Sequence, residues 1–369
     1  MLADVTAREG PAQLPRDGLE MQLCEIWRAA LELDVVHVDD DFFELGGDSL
    51  RALRIITEVE KLLGVDLSVA DFLTSSTVAA VARLLRDGEG GTARGPLVRF
   101  QEGDGRPPLY LFHPLSGTIL HYAAFARAIG PEQPIWGLQS IGLDPGDAPL
   151  PSLEAMAQAY LLRMRDVHPG GPWQLAGYSM GGLIAFEVAR QLSSSGEEVG
   201  FLGLFDTLAP SNDSAPPLET MRERGLRNVS RDVLRIEIDI DWLMSLPRDR
   251  QIQVLLERGV AAGTLPADYD SEHVRRLLDI RIHNRVATAA YIPQPFSGTV
   301  TFFSASTQKQ AEQNGERYGG WEDLAERVIV YQIAGDHFSI MEPGSVREIA
   351  LLTRNCLQPG QTKAHRRRD

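Results

Sequence analysis

The chain lacks the features that would place it in an oxidising compartment or in a membrane. It has two cysteines, Cys24 and Cys356, which lie too far apart in the sequence to indicate a disulfide framework or a zinc site. No apolar run approaches the roughly 18 residues that a membrane-spanning helix needs. The first ten residues contain no basic segment followed by an apolar one. We therefore expect a cytoplasmic protein with no membrane partner, no secretion signal and no bound metal.

Lysine is also scarce, since 33 of the 36 basic residues are arginine, and basic residues are outnumbered by 51 acidic ones. The resulting net charge of −15 argues against a nucleic-acid partner, because neutralising phosphates requires clustered Lys and Arg. The remaining composition, 43% hydrophobic and 24% charged, is typical of a folded globular protein. A length of 369 residues is enough for two or three domains.

The first part of the chain, residues 14–87, shows helical spacing of apolar residues in three segments. The first segment runs from Leu19 to Leu33, the second follows Ser49, and the third begins near Thr77 with Ser76 as its candidate N-cap. Residues 14–88 hold 15 acidic and 7 basic residues, a net of −8. This pattern predicts a small, acidic, all-α bundle that follows a disordered N-terminus at residues 1–13.

A glycine-rich stretch at residues 88–95 predicts a linker, after which the pattern changes. β-rich runs occur at residues 109–112, 173–175, 199–205, 299–303 and 328–333, and helical patterns at 120–129, 153–167 and 183–192. This alternation over residues 96–358 predicts a mostly parallel sheet covered on both faces. Residues 210–293 look almost wholly helical and are expected to form a lid. Residues 359–369 are expected to be a disordered basic tail.

The densest motif in the helical part is D-D-D-F-F-E-L-G-G-D-S-L, which ends at Leu50. Gly46 and Gly47 permit a sharp turn, and Phe42 and Phe43 can anchor the turn in a core. Ser49 stands at the head of a helix, where free N–H groups favour an attached phosphate. The motif closely resembles that of the peptidyl carrier domain of nonribosomal peptide synthetases.

That resemblance implies a four-helix carrier bundle in which Ser49 is esterified with 4′-phosphopantetheine from coenzyme A. It also implies a phosphopantetheinyl transferase and upstream condensation and adenylation domains as partners. The letters G-D-S-L at residues 47–50 match the signature of GDSL esterases too, with Asp270 and His273 as a downstream D-x-x-H. That reading is disfavoured, since those esterases place the serine after a strand of an α/β domain.

In the second part, Gly177-Tyr178-Ser179-Met180-Gly181 matches G-x-S-x-G between a predicted strand and a predicted helix. That context is typical of the nucleophile elbow of α/β-hydrolases, in which a strained turn exposes the serine. A serine needs a histidine base and an orienting carboxylate, in the chain order Ser, acid, His. His337 and Asp206 each follow a predicted strand and best fit these roles, and Asp336 remains the alternative acid. His273 and His283 lie in the helical insertion and are interpreted as ordinary histidines.

An oxyanion hole in this fold takes one backbone N–H from the residue after the nucleophile and another from the loop after an early strand. Met180 and Leu115 fit these two places. His113 lies two residues before Leu115, and we interpret it as a structural histidine before Pro114.

The second part resembles the type I thioesterase domain that ends many nonribosomal peptide synthetases and some polyketide synthases. The matching segments are F-H-P-L-S-G, L-A-G-Y-S-M-G-G-L-I-A-F-E-V-A and G-D-H-F-S-I-M, in the expected order. The loop at Leu115-Ser116-Gly117 departs from the family, which often has a small residue and paired glycines there. The resemblance implies an α/β-hydrolase fold and a Ser-His-Asp thioesterase.

Together the two resemblances imply a chain-terminating enzyme of nonribosomal peptide or hybrid polyketide biosynthesis, the kind of pathway that makes antibiotics. It would take an acyl or peptidyl thioester from Ser49 to Ser179 and release it by hydrolysis or macrocyclisation. Two alternatives stay open: a stand-alone editing hydrolase with a vestigial carrier domain, and a non-catalytic carrier scaffold.

Overall fold

The computed structural model describes residues 14–47, 49–63, 67–87, 95–143, 147–210, 217–262, 271–306 and 318–358. The chain divides into two compact units, Met1–Arg94 and Gly95–Asp369. The expectations for residues 1–13 and 359–369, and for the linker apart from Gly95, fall outside the described residues.

The first unit is a helical bundle, as the sequence predicts. Its helices are α1 (Gly18–Leu31), α2 (Ser49–Leu63), α3 (Val69–Thr74) and α4 (Val78–Asp87). They bury a shared apolar core, whose largest members are Trp27, Phe42 and Phe72. The rings of Phe42 and Phe72 meet edge to face at 5.0 Å, so the segment before α2 is anchored to α3.

Two details of this bundle differ from the sequence expectation. The N-cap of α4 is Thr77 and not Ser76, because the Thr77 hydroxyl accepts a hydrogen bond from the Ala80 N–H at 3.1 Å. The Ser76 hydroxyl instead donates to the carboxylate of Asp41. Helix α3 shows no periodicity in the sequence, since six residues make less than two turns.

The second unit is built on a seven-stranded sheet of order β1-β3-β2-β4-β5-β6-β7. Strand β1 runs antiparallel to β3, and the other neighbouring pairs are parallel. The strands are β1 (Leu97–Gln101), β2 (Leu109–Phe112), β3 (Ile135–Leu138), β4 (Trp173–Tyr178), β5 (Val199–Phe205), β6 (Phe296–Ala305) and β7 (Ala325–Ile333). The predicted mostly parallel sheet is confirmed. Strands β1 and β3, which have only five and four residues, escaped the sequence analysis.

Helices cover both faces of the sheet. Helices α6 (Leu153–Val167) and α7 (Met180–Ser194) share a core with Leu202 and Leu204 of β5. Helix α5 (Ala123–Ile129) brings Phe125 against Phe205, with ring centroids 5.4 Å apart. Because side chains alternate across a strand, Leu204 and Phe205 point to opposite faces, so α5 lies on the face opposite α7. The last helix, α12 (Pro343–Leu357), packs on α5.

The chain between β5 and β6 forms the predicted helical insertion. It contains α8 (Leu218–Asn228), a π-helical turn at Val229–Val233, α9 (Ile240–Ser245), α10 (Arg248–Ala261) and α11 (Ser271–Ala290). The insertion buries an apolar cluster of its own, with Leu226, Leu243 and Leu255 at 2% exposure or less. Within the described ranges, no helix has both the length and the apolar character to cross a bilayer.

Candidate active site

Ser179 occupies a strained turn between β4 and α7. Its φ and ψ are 56° and −125°, a conformation that costs of order 1–3 kcal/mol for a residue with a side chain. The neighbouring glycines make the turn possible: a Cβ on Gly177 would lie 2.1 Å from the Gly181 carbonyl group, and one on Gly181 would lie 2.1 Å from the Phe112 oxygen. The G-x-S-x-G spacing is therefore a packing requirement of a tight strand–turn–helix.

The residues before and after Asp206 both hydrogen-bond the backbone of Ser179. The Ser179 N–H donates to the carbonyl oxygen of Phe205 at 3.0 Å. The Thr207 hydroxyl donates to the carbonyl oxygen of Ser179 at 2.8 Å. Phe205 ends β5 and Thr207 follows Asp206, so the parallel pairing of β4 and β5 fixes the serine turn beside the carboxylate.

Asp206 and His337 form the central contact of the site. The Nδ1 of His337 lies 2.7 Å from Oδ2 of Asp206, and because a carboxylate only accepts, Nδ1 carries the proton. The other carboxylate oxygen accepts the Ala305 N–H at 2.8 Å. Asp206 is 2% exposed, whereas the His337 side chain is 36% exposed. A buried carboxylate thus orients an imidazole that is partly open to solvent.

The alternative acid, Asp336, is engaged elsewhere. One of its carboxylate oxygens accepts from the N–H groups of Phe338 and Ser339, at 3.0 and 2.8 Å, and from the Ser339 hydroxyl at 2.9 Å. These bonds, the one from the Ser339 N–H above all, lower the pKa of Asp336 below its ordinary value. Asp336 therefore shapes the loop that carries His337, while Asp206 contacts the imidazole itself.

The two insertion histidines lie on α11. The His283 ring is exposed and bonds the Asp279 carbonyl oxygen at 2.8 Å, one turn earlier on the same helix. Asp270, the acid of the rejected D-x-x-H reading, lies outside the described residues.

The proposed oxyanion donors lie at the start of α7 and in the loop after β2. Met180 is the first residue of α7, where N–H groups have no partner within the helix. Leu115 lies in a turn closed by the Gly117 N–H and the Pro114 carbonyl oxygen at 2.9 Å, with Gly117 at a φ of 81°. The close approach of Gly181 to the Phe112 carbonyl oxygen sets the start of α7 directly against the end of β2.

His113 anchors the base of this loop. It is fully buried, its Nε2 lies 2.7 Å from the Tyr160 hydroxyl on α6, and its Nδ1 lies 2.9 Å from the Pro114 carbonyl oxygen. Burial lowers the pKa of His113 to about 4. The ring is therefore neutral near pH 7, and its bonds hold the loop to α6.

In the first unit, the conformation and packing of two glycines fix the turn before Ser49. Gly46 has a φ of 86°, a conformation that favours glycine. A Cβ on Gly47 would lie 2.4 Å from the buried Phe42 ring. Ser49 begins helix α2, which has 15 residues, and Asp48 lies outside the described residues. The positive end of the α2 dipole suits a phosphodiester on this serine.

Three site residues were not found by sequence reasoning. Tyr178 contacts His337, Thr207 holds the Ser179 carbonyl group, and Asn284 of α11 donates to the Leu115 carbonyl oxygen at 3.2 Å. Tyr178 and Thr207 adjoin predicted site residues, and that adjacency was the available signal. Asn284 is 169 positions from Leu115, and nothing in the sequence pairs them.

Comparisons with known proteins identify a family for each of the two units. The profile of the family described as "Thioesterase domain" matches residues 107–352, and that of "Phosphopantetheine attachment site" matches residues 22–85. A dimodular nonribosomal peptide synthase of Bacillus subtilis (strain 168) is 32% identical over 79% of this chain and 12% of its own. Enterobactin synthase component F of Escherichia coli (strain K12) is 27% identical over 95% of this chain and 25% of its own.

A solved structure matches across both units. The crystal structure of holo-AB3403, a four-domain nonribosomal peptide synthetase bound to AMP and glycine, has a TM-score of 0.67 at 29% identity. The match covers 96% of this chain and 27% of that one. The chain thus spans about a quarter or less of the length of these relatives. It belongs to the thioesterase-domain family and carries a phosphopantetheine-attachment domain ahead of the thioesterase, an arrangement that it shares with nonribosomal peptide synthetases.

Proposed function

We propose that the chain releases an acyl or peptidyl group from a carrier-bound thioester by way of an ester on Ser179. The observation that carries the proposal is the 2.7 Å contact between His337 Nδ1 and Asp206 Oδ2, beside a serine on a strained elbow. Membership of the thioesterase-domain family supports an acyl thioester as the substrate. The pathway would be nonribosomal peptide or hybrid polyketide synthesis, carried out in the cytoplasm.

Each residue has a chemical role in this proposal. Asp206 accepts a hydrogen bond from Nδ1–H of His337, so Nε2 is free to act as the base. Ser179 Oγ attacks the thioester carbonyl carbon and gives its proton to Nε2, forming a C–O bond. The carbonyl oxygen gains negative charge, which the N–H groups of Met180 and Leu115 stabilise. The C–S bond then breaks, and His337 returns the proton to the leaving thiolate.

The acyl group leaves Ser179 in a second, similar step. His337 takes a proton from water, or from an amine or hydroxyl of the acyl chain itself, and the new oxygen or nitrogen attacks the ester carbon. Collapse of the intermediate protonates Ser179 Oγ again. The product is an acid in the first case and a lactam or lactone in the second.

Ser49 is the proposed attachment point for 4′-phosphopantetheine. The helix N-terminus at Ser49 and the packed glycine turn before it fit a phosphodiester, as described above. When bound, this group supplies the thiol to which the acyl chain is joined. A phosphopantetheinyl transferase and upstream condensation and adenylation domains are the partners that this role requires.

The test uses the full chain loaded with an acyl-pantetheine. Ser49→Ala is expected to abolish the mass gain from coenzyme A and a phosphopantetheinyl transferase. Ser179→Ala is expected to keep that gain but to accumulate the loaded carrier without product. Ser193→Ala, at the far end of α7, is the matched control and is expected to behave as wild type.

Two results would contradict the proposal. Undiminished release by Ser179→Ala would remove Ser179 from the mechanism. Equal turnover of soluble acyl thioesters by Ser49→Ala and by wild type, with no release from the loaded carrier, would favour a stand-alone hydrolase.

A further inference from the structure

Helix α11 connects the apolar cluster of the insertion, the loop that carries Leu115 and the core around α7. In the first half of the helix, Leu278 belongs to the apolar cluster of the insertion. Near its end, Ala287 belongs to the core that α7 shares with the sheet. Just beyond it, Tyr291 donates to the buried carboxylate of Glu187 on α7 at 3.0 Å. The end of this helix is therefore part of the hydrolase core, although the sequence assigns the whole insertion to a lid.

Between these two anchors, α11 touches the loop that carries Leu115. Asn284 is fully buried, and its Nδ2 donates to the Leu115 carbonyl oxygen at 3.2 Å. One turn earlier, Ile280 lies so close to Gly117 that a Cβ there would be 2.7 Å from Ile280 Cγ2. The helix thus contacts both Leu115 and the residue that closes its turn.

The oxygen of the Asn284 amide differs from the nitrogen in its contacts. Among the residues that the structure describes, its Oδ1 is buried without a hydrogen-bond partner. An acceptor buried in this way opposes folding, and leucine, a side chain of similar volume, would avoid the penalty. The hydrogen bond from Nδ2 to the Leu115 carbonyl oxygen is the interaction that asparagine makes here and leucine would not.

We propose that Asn284 is a positioning residue for the oxyanion hole, acting through Leu115. By holding the Leu115 carbonyl oxygen, it restrains the backbone of Leu115 and hence the direction of the Leu115 N–H. The inference rests on the proposed function, which assigns that N–H to the oxyanion. It also makes the insertion part of the catalytic machinery, since the same helix that carries Asn284 extends into the insertion's core.

The test compares labelling of Ser179 by two serine-directed probes, a fluorophosphonate and its P=S analogue. The P=O oxygen fits the two N–H donors, whereas sulfur is a poorer acceptor, so the ratio of the two labelling rates reports on the oxyanion hole. Loss of one such donor costs about 10²–10³ in rate, and a misaimed donor costs less. The intrinsic reactivities of the probes cancel when variants are compared.

Asn284→Leu is expected to slow fluorophosphonate labelling about tenfold and to lower the P=O to P=S rate ratio, with an unchanged or raised Tm. Asn284→Asp sets a carboxylate against the Leu115 carbonyl oxygen and is expected to slow labelling further. His283→Leu, one position earlier on the exposed side of α11, is the matched control and is expected to keep both rates and their ratio.

Wild-type labelling by Asn284→Leu would overturn the inference, as would slow labelling with an unchanged ratio, which assigns Asn284 a structural role. Failure of the proposed function looks different: wild type itself would not label at Ser179, or Ser179→Ala would still label.

Discussion

Tyr178 and His337 are joined by two contacts. The Tyr178 hydroxyl donates to the carbonyl oxygen of His337 at 2.5 Å, and the two rings stack with centroids 5.0 Å apart. Tyr178 directly precedes Ser179, and its N–H donates to the Tyr122 hydroxyl at 2.8 Å. The residue before Ser179 therefore holds the loop that carries His337, and one side chain aligns these two segments.

Tyr178→Phe tests this alignment. The variant keeps the ring but loses the hydrogen bond, so we expect the free energy of unfolding to fall by about 0.5–1.5 kcal/mol. The acylation rate of Ser179 is expected to fall about three- to tenfold, because an imidazole placed loosely is a poorer base. Stopped-flow release of thiol from an acyl thioester measures the rate. Tyr331→Phe, which loses only a 3.9 Å contact to Cys356 Sγ, should leave it unchanged.

Replacing each candidate acid by its amide separates their roles. Asp206→Asn disrupts the partner of His337 Nδ1, and we expect turnover to fall about 10⁴-fold, the loss seen when a triad histidine is held in the wrong tautomer. Asp336→Asn keeps one acceptor oxygen for the Phe338 and Ser339 N–H groups and should retain most of the activity. Steady-state hydrolysis of one thioester by both variants is the measurement. The reverse order of activities would make Asp336 the acid.

A methyl group at Gly181, in the turn that carries Ser179, should destabilise the thioesterase unit. In Gly181→Ala, the new Cβ would meet the Phe112 carbonyl oxygen at 2.1 Å, and that oxygen is a backbone atom at the end of a packed strand. We expect a loss of about 1–3 kcal/mol in the free energy of unfolding and little fluorophosphonate labelling. Gly170→Ala, with open space around its Cβ, is the control. Full labelling of Gly181→Ala would show that α7 can move away from β2.

The thioesterase unit should lose stability in mild acid. Burial lowers the pKa of His113 to about 4 from an ordinary value of 6.5, so the unfolded chain binds the proton more readily than the folded one. The stabilisation is therefore complete above pH 6.5 and is lost as the pH falls towards 4, at a slope of up to about 1.4 kcal/mol per pH unit.

His113→Gln removes this titration and should reduce the slope, whatever its effect on total stability, while burial, which lowers the pKa of His121 to about 3, maintains the rest of the slope. Urea-dependent hydrogen exchange of the β2 and β4 segments in the full chain measures how the free energy of unfolding changes with pH. His283→Gln, which changes an exposed ring, should keep the wild-type slope. Equal slopes for His113→Gln and wild type would place the acid-sensitive group elsewhere.

Local patterns in the sequence were sufficient for much of this protein. The alternation of β and α segments predicted the sheet, because short β runs and longer helical runs can pack in few ways. The motif around Ser179 predicted the elbow, since two glycines around a serine satisfy a local steric demand. The segment from Phe42 to Gly47 likewise predicted the carrier turn, whose glycine spacing reflects contacts within six residues.

The sequence analysis missed other features, because their signal in the sequence is weak or depends on distant residues. Arg99 in β1 and Gly137 in β3 interrupt the short apolar runs of these strands, and α3 makes less than two turns. Thr77 rather than Ser76 caps α4, since Ser76 is drawn to Asp41, 35 positions earlier.

What the sequence alone determined was the set of candidate reactive residues, because the chemistry of a nucleophile, base and acid limits the residue types and their order. What only the tertiary structure decided was which groups meet. Asp206 contacts the imidazole while Asp336 turns to its own loop, Tyr178 bonds the carbonyl group of His337, and Asn284 bonds that of Leu115. These three contacts join residues that lie 131, 159 and 169 positions apart in the sequence. They depend on directions that side chains acquire only when the sheet and its helices are packed.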